Sequence, residues 1–269
     1  MGNARPIGIF DSGVGGLTVA REIRRLLPGE STIYVGDTAR VPYGTKTPEE
    51  LLSYAQDIIR FLLSKNVKAI VVACGTSSAV TYEKLQEEFT NLPLIDVIRP
   101  GVDACTKLVA SNPEIRLGII ATAATIKSGL FSQLLTEKCP DVMLYARACP
   151  LFASMVEAGL PTTHPAMRFA VEMYLSDLRG KIDALVLGCT HYPLLTDAFT
   201  ATLGDIELID IGEATAQATK EQLTQLNLLA GDDSLPTHCY YVTGPGDVFR
   251  TTGSLILQEA CKPKNFFED

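Results

Sequence analysis

Along this chain, short runs dominated by Ile, Val, Leu and Ala alternate with longer segments whose apolar positions recur three and four residues apart. Runs of the first kind read as strands covered on both faces, and segments of the second kind as helices laid against a sheet. Strands are expected at 7–10, 31–36, 68–74, 94–98, 116–120, 142–147, 183–188, 207–211 and 238–243. Helices are expected at 17–27, 48–65, 103–110, 151–158, 165–178, 213–229 and 247–257, with one more starting at a Thr76 or Ser77 cap and running to 89. Thr47-Pro48-Glu49-Glu50 carries a complete start signal: a capping hydroxyl, Pro at the first helical position and Glu at the third. Gly231-Asp232-Asp233-Ser234 reads as a turn. Alternating strands and helices imply parallel sheets with right-handed crossovers, an α/β fold.

The pattern repeats. Gly8 and Gly118 lie in similar strands 110 positions apart (118 − 8), and Cys74 and Cys189 are 115 apart (189 − 74), a weak internal duplication. Each of these cysteines ends an apolar run and is followed at once or one residue later by Thr. Ligands of parallel sheets bind beyond the carboxyl ends of the strands, where both thiols fall.

Composition narrows the function. With 46% hydrophobic and 20% charged residues in 269, the chain can bury a substantial core. A net charge of −8 with no Lys/Arg stripe argues against nucleic acid as a partner. No apolar run approaches the ~18 residues of a membrane span, and the first apolar run is too short for a signal segment. The seven cysteines include no C-x-x-C pair, which fits a reducing compartment, so the expectation is a cytoplasmic protein. Gly13-Val14-Gly15-Gly16 misses the spacing of a dinucleotide or phosphate loop. Its glycines are read instead as turn formers that let the backbone pass close to a small ligand.

A thiol at a strand end, just before a helix N-terminus, is drawn toward thiolate by the partial positive charge there. Two such thiols could form a redox pair, ligate a metal, or act as two acid/base groups. Redox pairs usually sit close in sequence, and these do not. Only three histidines exist (His164, His191, His238), and no ligand quartet is spaced for zinc. What remains is proton removal by one thiolate and proton delivery by the opposite thiol, which inverts a carbon centre and calls for no cofactor or metal.

The segments Ile9-Phe10-Asp11-Ser12-Gly13-Val14-Gly15-Gly16-Leu17, Gly36-Asp37-Thr38-Ala39-Arg40-Val41-Pro42-Tyr43-Gly44, Val72-Ala73-Cys74 and Leu187-Gly188-Cys189-Thr190-His191-Tyr192-Pro193-Leu194 together resemble the glutamate racemase family, cofactor-independent enzymes that supply D-glutamate for peptidoglycan. The resemblance runs over essentially the whole chain. It implies two pseudo-symmetric α/β domains, 1–98 plus 211–269 and 99–210, with the active site in the cleft between them. It also implies a homodimer and a small-molecule substrate.

By that resemblance Cys74 deprotonates the D-enantiomer and Cys189 the L-enantiomer. Asp11 and His191 would assist the two thiols, and Glu157 would support His191. A carboxylate at Asp11, near Cys74, should raise that thiol's pKa against the helix-end effect and leave a near-neutral resting thiol. Substrate contacts carry over to Asp11, Ser12, Pro42, Tyr43, Gly44, Gly75, Thr76, Thr122, Thr190 and His191. Plainer roles are open to several of these: Glu157 as a solvated helix residue, Thr122 and Thr125 as helix caps, Tyr43 as core packing, His191 as a cap. Where the family commonly has Asn after the first cysteine, this chain has Gly75. Two rival readings stand beside this one: an aspartate racemase of the same superfamily, and an amino-acid-binding protein without turnover.

Overall fold

The structure, a computed structural model, describes residues 2–231 and 234–268; Asp232 and Asp233 of the expected turn lie outside the described residues. The first part of the chain runs β1 (Ile7–Asp11), α1 (Leu17–Leu26), β2 (Thr32–Gly36), α2 (Pro48–Ser64), β3 (Ala69–Val72), α3 (Gly75–Glu88), β4 (Leu94–Asp96) and α4 (Ile98–Ser111). The second part runs β5 (Arg116–Ala121), α5 (Ala123–Ser128), α6 (Leu130–Lys138), β6 (Met143–Ala148), α7 (Pro150–Glu157), α8 (Pro165–Leu175), β7 (Ala184–Leu187), α9 (Thr196–Leu203) and β8 (Glu207–Asp210). The tail adds α10 (Ile211–Gln225), β9 (His238–Val242), α11 (Asp247–Leu257) and β10 (Lys264–Asn265).

Two parallel sheets result, ordered β10-β9-β2-β1-β3-β4 and β6-β5-β7-β8. The two share a plan: β1 lies between β2 and β3 with β4 outside, and β5 lies between β6 and β7 with β8 outside. The registers make the repeat exact in position. Phe10 pairs with Val72 and Ile120 with Leu187, offsets of 110 (120 − 10) and 115 (187 − 72), which are the sequence spacings of the Gly8/Gly118 and Cys74/Cys189 pairs. The third strand of each sheet therefore delivers a cysteine two residues past its end.

Strands β1, β3 and β7 are buried along their whole length, as expected of parallel strands covered on both faces. One continuous apolar cluster takes in Ile9 and Val71 of the first sheet with Ile119 and Val186 of the second. A second lies between α2 and the outer face of the first sheet, around Phe10, Ile58, Ile59 and Val72. Between the sheets, α10 packs against both α1 and α4.

Several boundaries differ from the expected ones for local reasons. Helix α4 starts at Ile98, not 103, because the buried Asp96 carboxylate accepts the backbone N–H groups of Ile98 (2.6 Å) and Arg99 (2.8 Å) and caps it. Helix α10 starts at Ile211, because Asp210 accepts the Gly212 N–H at 2.7 Å. Helix α8 stops at Leu175 and tightens into a 3₁₀ turn at Ser176–Leu178. Helix α3 is capped by Cys74 itself; Thr76 and Ser77, the expected caps, lie in its first turn. The Thr47/Glu50 capping box of α2 forms as expected, with Glu50 N–H to Thr47 Oγ1 at 3.2 Å and Thr47 N–H to Glu50 Oε2 at 2.8 Å.

Candidate active site

The site begins at the end of β1, where Asp11 is fully buried. Its Oδ2 accepts the N–H groups of Gly13 and Gly16, both at 3.1 Å, and its Oδ1 accepts the Thr190 hydroxyl at 3.3 Å. The glycine turn thus wraps a carboxylate of its own chain. Its expected role of admitting a small ligand is corrected at Gly15: a Cβ there would stand 2.5 Å from His191 Nδ1, so the missing side chain makes room for the imidazole. Burial holds the Asp11 carboxyl above its usual range, against the pull of His191 and of the two N–H donors.

Cys74 follows β3 at the N-terminus of α3 and is 5% exposed. The helix end is expected to depress this thiol and the Asp11 carboxylate to raise it; the net shift is upward, with burial the largest cause and the Asp11 charge, as expected, the next, while Cys189 adds to the rise. Hydrogen bonds from the Ser77 N–H and the Ser12 hydroxyl pull the other way without offsetting it. At its side a chain of hydroxyls links the two halves, Thr76 to Thr122 at 2.9 Å and Thr122 to Thr125 at 2.9 Å. Thr122 also caps α5 through the Thr125 N–H, so its plainer role is real and coexists with its place in the site.

Cys189 stands differently. No α-helix starts directly after it; a 3₁₀ turn, Tyr192–Leu195, comes first and α9 begins only at Thr196. The expected helix N-terminus is therefore absent here, and a side-chain relay stands in its place. Cys189 Sγ lies 3.6 Å from His191 Nδ1. His191 Nε2 lies 2.6 Å from Glu157 Oε1, and that oxygen also accepts the Val14 N–H at 2.8 Å. Burial disfavours an imidazolium at His191, yet its bonds to Cys189 and Glu157 raise its pKa well above the ordinary value. Glu157, although burial opposes its charge, is held below the usual carboxylate range by His191 and the Val14 and Gly15 N–H groups. It is no solvated helix residue: its side chain is 14% exposed.

Both thiols line one cavity of about 100 Å³. Ser12, Gly75, Thr76, Thr122, Thr190 and His191 line it too, as do Pro42, Tyr43 and Gly44. Asp11 and Glu157 stand behind this wall, touching it through Thr190 and His191. Tyr43 faces the cavity but spends its hydroxyl elsewhere, donating to Asp37 Oδ2 at 2.5 Å. Asp37 also accepts the Thr243 hydroxyl at 2.6 Å and is fully buried. Sequence reasoning passed over Asp37, although its place at the end of β2 parallels that of Asp11 at the end of β1. It also passed over Pro150, Ala153 and Ser154 of α7, which line the cavity with no signal beyond following β6. Among the described residues, no group of three or more His, Cys, Asp and Glu side chains is arranged to hold a metal ion.

A family model described as Asp/Glu/hydantoin racemase matches residues 7–219. The chain belongs to that family and is an amino-acid racemase. Within the family its similarity is to glutamate racemases. That of Lactococcus lactis subsp. cremoris (strain SK11) is 42% identical over 247 residues, 91% of this chain and 89% of the relative. The crystal structure of glutamate racemase from Francisella tularensis subsp. tularensis SCHU S4 in complex with D-glutamate superposes with a TM-score of 0.86 at 37% identity, covering 97% of this chain and 96% of that one. The glutamate racemase of Bacillus anthracis gives a TM-score of 0.89 at 37% identity, covering 97% of each chain.

Proposed function

We propose that the protein interconverts L- and D-glutamate by two-thiol acid/base catalysis and supplies D-glutamate for peptidoglycan. The observation that carries this reading is the pair of strand-ended thiols lining one cavity, each with its own charged partner behind it. In the L-to-D direction, Cys189 as thiolate takes the Cα proton, and the Cys74 thiol gives its proton to the opposite face of the carbanion. Cys189 then holds a proton and Cys74 a charge. In the D-to-L direction the roles exchange.

The asymmetry of the two surroundings suits this. Burial and Asp11 favour the protonated Cys74 that must donate. An imidazolium at His191, stabilised by Glu157, offsets the charge that the Cys189 sulfur must carry as a base. The hydroxyls of Ser12, Thr76, Thr122 and Thr190 and the backbone of the Pro42-Tyr43-Gly44 loop are the candidate substrate contacts. Glutamate as the substrate is supported by the similarity to a racemase crystallised with D-glutamate.

The same reading divides the chain into a domain of residues 1–98 plus 211–269 and one of 99–210, with the cavity in the cleft between them. Strand β9 pairing with β2 and β8 pairing with β7 support that division. It places the protein in the cytoplasm as a homodimer. Sedimentation equilibrium checks the dimer.

The function is tested by incubating L-glutamate and L-aspartate with the protein in D₂O, following Cα deuteration by NMR and the loss of optical rotation. Glutamate should exchange and lose rotation. Exchange of aspartate alone would overturn the substrate. Cys74→Ser and Cys189→Ser should each abolish racemisation, and full turnover in either sinks the two-thiol mechanism.

A further inference from the structure

Cys189 and Tyr192 close a turn, the Tyr192 N–H donating to Cys189 O at 3.0 Å, and Thr190 and His191 are its two central residues. His191 has φ −77° and ψ −24°, the conformation of the third position of a type I turn. The closing bond does not hold the peptide between Thr190 and His191. Rotation of that peptide changes ψ of Thr190 and φ of His191 together, and with them the direction of the imidazole that faces Cys189 Sγ at 3.6 Å.

The oxygen of that peptide needs a donor from outside the turn. Three residues on stands Pro193, which has no N–H, and the next N–H, that of Leu194, goes to His191 O at 3.2 Å. The donor is Thr18 of α1, whose Oγ1 lies 3.0 Å from Thr190 O and 2.9 Å from Gly15 O. Gly15 O already accepts the Thr18 N–H at 3.0 Å, so the single hydroxyl proton is free for Thr190. Both residues are buried, which keeps bulk water from taking the donor's place. The matching hydroxyl of the other half, Ser128, 110 positions on (128 − 18), donates to Thr125 O at 2.7 Å, a bond within its own helix. The reach from α1 across to the second thiol's turn is therefore specific to the Cys189 side.

We propose that Thr18 is a positioning residue for the second acid/base group: its hydroxyl fixes the Thr190–His191 peptide and so aims the His191 ring at the Cys189 sulfur. The inference rests on the two-thiol reading above and deepens it. Thr18 does not line the cavity, so it acts on the reaction only through Thr190 and His191. The Thr190 hydroxyl is held separately by Asp11 Oδ1 at 3.3 Å, and that bond leaves the peptide oxygen to Thr18.

The test measures kcat, KM and the primary isotope effect with Cα-deuterated L- and D-glutamate for wild type, Thr18→Val and Thr18→Ser, with a melting curve for each. Valine keeps the shape and removes the donor, whereas serine keeps the donor and removes a methyl. Cys189 breaks the Cα bond of the L-enantiomer and Cys74 that of the D-enantiomer, so the two labelled substrates report the two thiols separately. Thr18→Val should lose roughly 10- to 100-fold in kcat/KM, since about an ångström of misplacement costs on the order of 100-fold. The loss should be equal in both directions, because the enantiomers are equal in energy. Its isotope effect on kcat/KM should rise with labelled L-glutamate and fall with labelled D-glutamate, as the Cys189 step becomes the slower one. Thr18→Ser should stay near wild type in every readout. A ratio of the two isotope effects that stays at the wild-type value or moves the other way overturns the proposal, and so does a Thr18→Ser as slow as Thr18→Val. Loss of the melting transition in Thr18→Val overturns it too, by assigning the bond to stability. The two-thiol reading fails separately: it falls if Cys74→Ser or Cys189→Ser keeps full turnover, whatever the Thr18 variants do.

Discussion

Glu157 Oε1 lies 2.6 Å from His191 Nε2, on the side of the ring away from Cys189, and the same oxygen accepts the Val14 N–H. One carboxylate thus ties α7, the β1–α1 turn and the residue beside the second thiol into a single relay. Three groups 34 and 143 positions apart in sequence depend on it.

Glu157→Gln keeps the shape and removes the charge. His191, whose pKa is raised in the fold, stabilises the protein fully below its unfolded value of about 6.5 and loses that contribution as pH rises through the folded value. Glu157, whose pKa is lowered, stabilises above its unfolded value of about 4.3 and loses the contribution as pH falls through the folded value. The benefit of the pair is therefore complete between about pH 4.5 and 6.5. The variant should be less stable by about 1–2 kcal/mol there, a Tm lower by about 3–6 °C. The gap should narrow toward alkaline pH. A Tm difference that is constant from pH 5 to 10 would contradict the charged pair.

Asp11→Asn tests the other thiol. Burial is the larger cause of the raised Cys74 pKa and the Asp11 charge the next, so removing the charge should bring the pKa down only in part. The measurement is the pH midpoint of Cys74 alkylation, followed by mass spectrometry in a Cys189→Ser background. The midpoint should move to lower pH in the double variant. An unchanged midpoint would show that the carboxylate does not act on Cys74.

Much of the framework was legible because it is local. The apolar runs located every strand of the two sheets except β10, a two-residue edge strand with no pattern to read. The offsets of 110 and 115 were visible from glycines and cysteines alone, because a duplicated βα unit preserves where its strands end. Of the remaining helices, α5 was legible only through Thr122 as a possible cap, a helix was expected directly after Cys189 whereas α9 begins seven residues later (196 − 189), and α6 was missed, its start carrying no signal of the Thr47-Pro48 kind. The electrostatics was legible in part, since the Asp11 charge raises the Cys74 pKa as expected. A helix N-terminus acts on Cys74 as expected, but burial acts more strongly, and burial belongs to the whole fold. At Cys189 the sequence offers Thr-His-Tyr-Pro after the thiol, and Pro193 helps form a 3₁₀ turn where a helix was expected. Contacts such as Glu157 with Val14, 143 positions apart, leave no local trace.

Lys68 and Glu30 form a fully enclosed ion pair beneath the N-terminal segment. Lys68 Nζ also donates to Asn3 O at 2.7 Å, and Glu30 Oε1 accepts the Ala230 N–H at 2.7 Å, so the pair pins two peripheral segments. Lys68→Met should leave an uncompensated buried carboxylate and cost about 3–5 kcal/mol. Lys68→Met with Glu30→Gln should recover part of that loss, since the amide can still accept from Ala230. Urea unfolding of wild type, single and double variants measures the coupling. A double variant no more stable than Lys68→Met alone would mean that the charge is not what the lysine compensates.

Asp37 reaches the cavity through Tyr43. Its two oxygens take the hydroxyls of Tyr43, at 2.5 Å, and Thr243, at 2.6 Å, so the loop that lines the cavity is tied to the end of β9 across the first sheet. Asp37→Asn keeps one acceptor and turns the other into a donor, which must lose one hydroxyl or face a repulsive contact. An unmade buried bond of this kind costs about 1–3 kcal/mol. If that cost falls on the placement of Pro42 and Gly44, KM should rise about tenfold, the equivalent of 1.4 kcal/mol. Thr243→Val frees the same carboxylate from the far side without touching the cavity, so it should lower Tm with a smaller change in KM. Steady-state kinetics and melting curves on Asp37→Asn, Tyr43→Phe and Thr243→Val separate the two. Equal KM values in all three variants and wild type would leave Asp37 holding β9 but not the cavity loop.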